Sequence, residues 1–152
     1  SLIRFCQTLI RFRREQSAVR RDNYLTGRPA RIGGLPDVSW YNTLGHPMQW
    51  HGHDMALICL LAAPDDPSGV ARDIMLMINS TAHPLDFVVP PVARRARWQL
   101  FLDTAAESPH DIYPNQDGPW LPESYRARLD YRSLRCYLAP PIPIAGPGAH
   151  SG

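Results

Sequence analysis

Leu2, Phe5, Cys6, Leu9 and Phe12, with Ile3 and Ile10 beside them, recur at i, i+3, i+4 and i+7 spacing from Leu2 to about Glu15. That spacing gathers apolar side chains on one stripe of an α-helix. The stripe is broad and starts almost at residue one, with Ser1 as the available cap. Each fully buried Leu, Ile or Phe contributes on the order of 1.5–3 kcal/mol, so a helix this apolar is expected to pack on a large surface. The rest of the sequence offers the helix nothing obvious to cover, which suggests that its packing partner lies in a larger protein.

After Asn23-Tyr24-Leu25-Thr26-Gly27-Arg28-Pro29 the pattern changes, because Pro and Gly recur every few residues and the apolar stretches shorten. Strands are predicted near Val38 to Tyr41, Met55 to Leu61, Ile74 to Ile78, Leu85 to Val89, Trp98 to Leu102, Arg126 to Asp130 and Leu134 to Leu138. Leu85, Phe87 and Val89 alternate with Asp86 and Val88, and Trp98, Leu100 and Leu102 with Gln99 and Phe101, so one side of each strand faces inward. Asn79 to Pro84 has the composition of a hairpin loop. Short strands joined by turns, with no helix between them, predict an all-β antiparallel β-sandwich preceded by one N-terminal α-helix. The predicted division is a helix and connector over 1–23, a β-domain over 24–139 and a disordered Pro/Gly-rich tail over 140–152.

Other properties narrow the classes of function. The longest apolar run, Met55 to Ala63, is about half of the roughly 18–20 residues that a membrane-spanning helix needs, so it reads as a buried strand and no membrane partner is expected. The first residues do not have the charged-then-apolar pattern of a leader peptide, so export is not expected. Cys6, Cys59 and Cys136 are odd in number, have apolar neighbours and form no Cys-x-x-Cys pair, so buried, reduced thiols and a cytoplasmic location are expected. All 16 basic residues are Arg, but 14 carboxylates leave a net charge of only +2. The single dense basic cluster, Arg11, Arg13, Arg14, Arg20 and Arg21, reads as a solvated helix face, and no nucleic-acid partner is expected.

Catalytic signatures are missing. The sequence has neither a Gly-x-Ser-x-Gly elbow nor a phosphate-cradling Gly-Lys-Ser/Thr element. His46, His51 and His53 could offer three nitrogens to zinc, but Asp54 is the one close carboxylate and no Cys lies in that loop, so a polar surface loop is the expectation and no metal or cofactor is assigned. Glycoside hydrolysis needs two carboxyl groups across the scissile bond. Asp103, Glu107, Asp111, Asp117, Glu123 and Asp130 supply carboxylates by count, yet they read as solvated loop residues and no catalytic residue is assigned. Tyr113, Trp120 and Tyr125 in the same stretch are candidate glucan contacts through stacking of rings on sugar faces, although Pro119 and Leu121 suit a loop folded over the core.

Leu2-Ile3-Arg4-Phe5 through Arg13-Arg14 and on to Ala18-Val19-Arg20-Arg21 resembles the last barrel helix of bacterial glycogen-debranching enzymes of the isoamylase type, in the α-amylase superfamily. Asp37-Val38-Ser39-Trp40 with Gly45-His46-Pro47-Met48 and Trp50 is similar to the segment entering their C-terminal domain. The stretches Ile74 to Asn79, Pro84 to Phe87 with Pro90-Pro91, Trp98 to Ala105 and Ser133 to Leu138 resemble its strands. The resemblance runs from about Leu2 to Ala139. It implies a non-catalytic C-terminal accessory domain whose parent cleaves α-1,6 branch linkages in glycogen. The implied partners are the catalytic (β/α)8 barrel of the same polypeptide and α-glucan, with oligomer formation open through the helix. An independent glucan-binding module is the alternative.

Overall fold

The computed structural model describes residues 1–143. Helix α1 spans Leu2–Glu15, with the Ser1 hydroxyl accepting from the Arg4 N–H and Arg13 and Arg14 in the last turn, where cations favour the helix dipole. Seven strands follow: β1 Val38–Tyr41, β2 Ala56–Leu61, β3 Ile74–Asn79, β4 Leu85–Val88, β5 Gln99–Asp103, β6 Arg126–Leu129 and β7 Ser133–Leu138. All seven lie within a residue or two of the predicted positions. A single 3-10 turn, Pro91–Ala93, was not foreseen.

Every pairing among the described residues is antiparallel. The large sheet has the order β1-β2-β3-β7-β5, and β4 pairs with β6 in a small second sheet. Asn79 to Pro84 is therefore not a hairpin loop, because β3 and β4 belong to different sheets. The reason lies in Asn79, which is buried and donates its amide to the carbonyls of His83 and Asp130, folding the chain out of the large sheet.

The two sheets share a core. Tyr41, Ile58, Leu60, Met75, Met77, Leu100 and Tyr137 from the large sheet enclose Phe87, Ala127 and Leu129 from the small one. Period-two alternation then sends the neighbouring residues of each large-sheet strand to the outer face, and those residues are apolar too.

Helix α1 packs on that outer face. Phe12 stacks on Phe101 with ring centroids 4.5 Å apart, and Ile74, Leu102, Ile112, Cys136 and Leu138 complete this second core. Arg4 pairs with Asp111 and donates to the Ile112 carbonyl, pinning the start of the helix. The expectation that the helix has nothing of its own to cover is thus corrected for one side: Phe12 and Thr8 are buried. Periodicity alone missed this because the sheet's second apolar face is assembled from strands distant in sequence.

The connector after α1 is tied down by two acidic anchors. Asp73 takes both arms of Arg31 at 2.7 Å and also the Ala63 N–H. Asp37 accepts from Thr26 N–H, Gly27 N–H and the Thr26 hydroxyl, with Arg21 at 3.8 Å. The Thr26 N–H foremost, and the other donors after it, outweigh the opposing burial and hold the Asp37 carboxyl below the usual carboxylate range. A carboxyl lowered in the folded state contributes stability that is present above its unfolded value of about 3.9 and is lost as pH falls through the folded value. Asp37→Asn is accordingly expected to flatten the stability-versus-pH curve below about pH 4, read as urea midpoints against pH. An unchanged acid limb would refute this.

Residues 144–152 of the expected tail lie outside the described residues. Before them, Ile142 is buried and its N–H bonds to the Ala71 carbonyl at 3.0 Å.

Candidate functional site

The outer face of the large sheet carries three apolar rows, read directly from the strand register. Trp40, Cys59, Leu76, Cys136 and Leu102 form one, Val38, Leu61, Ile74 and Leu138 the second, and Leu57, Ile78 and Leu134 the third. A sheet apolar on both faces belongs between two layers. Helix α1 covers Ile74, Leu102, Cys136 and Leu138, but Leu57, Leu76, Ile78 and Leu134 stay only half-buried and Trp40 is 41% exposed.

The helix leaves its own other side bare. Leu2 and Ile3 are 78% and 70% exposed, Ile10 is 55% exposed, and Cys6 sits among them in the open. Both patches open on the same side of the large sheet, because α1 lies on that face. Trp50 extends the patch at the β1 edge, meeting Trp40 edge to face at 5.8 Å. Exposed apolar residues gathered on one face are the usual surface of a protein interaction site. Sequence reasoning missed Trp40 and Trp50 as members of it. The available signal was Trp40 beside Tyr41, two bulky aromatics that a strand must send to opposite faces.

The cysteines divide accordingly. Cys59 and Cys136 are buried and burial pushes their thiols up, to about 11 and about 12. Cys6 is exposed, which corrects the expectation of three buried thiols. It falls in the middle of the outward stripe of α1, and burial was inferred from apolar neighbours that are themselves exposed. Thiolates carry the reactivity, so iodoacetamide is expected to modify one thiol per native chain, at Cys6, with Cys59 and Cys136 reacting after unfolding. Peptide mass spectrometry reads this, and native modification of Cys136 would contradict it.

The candidate glucan rings are held in different ways. Tyr113 is half-buried against the inter-sheet core, and its N–H bonds to Phe101. Tyr125 donates its hydroxyl to the Arg94 carbonyl and lies under the Arg94 guanidinium. Trp120 is the exposed member, with the Arg97 guanidinium 4.6 Å from its ring centroid. Its loop lies close on β5: Gly118 accepts from the Gln99 side chain, and a Cβ at Gly118 would run into the Leu100 carbonyl.

Among the loop carboxylates, Asp103 is engaged by Arg135 and the Ala105 N–H, and Asp111 by Arg4. His46, His51 and His53 line a groove of about 550 Å³ beside Thr81 and Leu85. Among the described residues no three His, Cys, Asp or Glu side chains gather closely enough to hold a metal ion. No described helix is long and apolar enough to cross a membrane.

No protein-family model matches the chain. Over 123 residues, 81% of its length, it is 28% identical to isoamylase 3, chloroplastic, of Oryza sativa subsp. japonica. That stretch amounts to 14% of the rice protein, so the chain spans a small part of the relative it matches. The likeness supports an isoamylase-related origin.

Proposed function

We propose that this chain is a non-catalytic accessory domain of a glycogen- or starch-debranching glycoside hydrolase, and that its apolar outer face seats against the catalytic (β/α)8 barrel of the same polypeptide. The parent reaction on this reading is hydrolysis of α-1,6 branch linkages. The observation that carries it is the unfinished third layer: a sheet apolar on both sides, with one helix over part of its outer face and the helix's own outward stripe bare. The isoamylase likeness over a small part of a longer protein is compatible with a domain of this kind.

Within this reading the chain braces rather than cleaves. A general acid for glycoside hydrolysis has a raised carboxyl proton affinity. Asp37 and Asp66 are both held below the usual carboxylate range by hydrogen bonds, Asp37 chiefly by the Thr26 N–H and Asp66 chiefly by the Ser68 hydroxyl. The compartment belonging to this reading is the cytoplasm, on the strength of the free cysteines. On this reading any contact with glucan falls to Trp120, the most open of the three candidate rings.

Reducing-end release from glycogen tests the assignment. The isolated chain is expected to release none, and the full-length polypeptide to debranch glycogen. Release by the isolated chain, or a full-length protein inert on branched glucan, would overturn it.

A further inference from the structure

A second concavity lies between the connector and the 3-10 turn. It has a volume of about 440 Å³, and its wall includes Leu35, Tyr41, Val92 and Trp98. The floor is apolar and firm. Trp98 is 1% exposed, and its indole N–H is already satisfied by the Ala93 carbonyl.

Four polar side chains reach the cavity, and two of them are spent. Arg31 gives both arms to Asp73 and a further bond to the Ala63 carbonyl, while Asp73 also takes the Ala63 N–H. Their charges cancel. The other two are the Tyr41 hydroxyl and the Arg95 guanidinium, and neither has a hydrogen-bond or ion-pair partner among the described residues. Both can donate hydrogen bonds, and Arg95 is the lining charge without a counter-ion at bonding distance among the described residues.

An apolar cavity with a few convergent polar groups is the usual form of a small-molecule site. Here the unfilled valences are donors and the uncompensated charge is positive. We infer that this cavity binds a small monocarboxylate with an apolar body, the carboxylate taking the Arg95 guanidinium and the Tyr41 hydroxyl and the body lying on Leu35 and Val92. The inference is independent of the debranching assignment, because it uses neither the outer face nor any glucan contact.

Calorimetric titration of this chain with 4-phenylbutyrate and with 4-phenylbutan-1-ol tests it. The carboxylate is expected to bind about tenfold more tightly than the neutral alcohol, the size of one charge-assisted hydrogen bond. Arg95→Ala, at an exposed position, is expected to bring the carboxylate down to the alcohol's affinity. Tyr41→Phe keeps the ring in the core and is expected to weaken the carboxylate about fivefold. Equal affinity for the two compounds, binding of neither, or indifference to both substitutions would overturn the inference.

Discussion

Asp73→Ala is expected to destabilise the fold by about 3 kcal/mol. The Asp73 side chain is 10% exposed and accepts three hydrogen bonds, two from Arg31 and one from the Ala63 backbone. Removing it strands a largely buried guanidinium and a buried amide together. Breaking one partner of such a pair is far more damaging than the pair's net contribution, since the remaining charge keeps its desolvation without its counter-ion. A guanidinium keeps its proton throughout the ordinary pH range, so Arg31 will not shed its charge to escape once Asp73 is gone. Asp86→Ala provides the contrast, because the Asp86–Arg128 pair is about two-thirds exposed on both sides, and its loss is expected to cost about 0.5 kcal/mol or less. Urea midpoints on the two variants read the difference. A double change, Arg31→Met with Asp73→Leu, is expected to recover part of the stability. Equal effects for Asp73→Ala and Asp86→Ala would show that the connector is not anchored in this way.

Phe12→Ala should have a comparable effect, about 3 kcal/mol. Its ring is stacked on Phe101 and belongs to the second core with Ile74, Leu102 and Leu138, so truncation opens a cavity and removes an aromatic pair contributing about 1 kcal/mol beyond burial. Ile10→Ala, just over half a turn away on the bare stripe, is expected to change stability by about 0.5 kcal/mol or less. This contrast separates the two sides of one helix. Helical circular dichroism and urea midpoints together show whether α1 detaches before the sheets unfold. If Ile10→Ala is as damaging as Phe12→Ala in the isolated chain, the division into a docked side and a bare side is wrong.

The strands were legible because each carries its own local signal. Leu85–Val88 alternates, Ile74–Asn79 is a short apolar run, and Gly and Pro punctuate the intervals between them. Pairing was less legible. Asn79 reads as a turn residue, and only the structure shows its amide buried under carbonyls 4 and 51 residues away, which carries the chain into the second sheet. The helix illustrates the same limit. Leu2, Phe5, Cys6, Leu9, Ile10 and Phe12 look like one broad stripe, yet the sheet takes Phe12 and leaves Leu2, Cys6 and Ile10 outside. Periodicity gives direction around a helix axis but not which direction holds the partner. The outer face went unread for a related reason, since its rows join residues as far apart as Trp40 and Cys136. The loop around Trp120, by contrast, was legible from Pro119 and Leu121, because Leu121 packs against the inter-sheet core while Trp120 stays exposed.

The central claim is that the bare side of α1 and the half-covered sheet beside it are the seat of the barrel in a longer polypeptide. Cys6 stands in the middle of that surface and provides a built-in reporter. The most direct measurement is its alkylation rate in the isolated chain and in the full-length native polypeptide. The account predicts modification at least about tenfold slower in the full-length protein, as burial of a reactive thiol requires. Equal rates in the two would mean that nothing sits on this face, and would contradict the account.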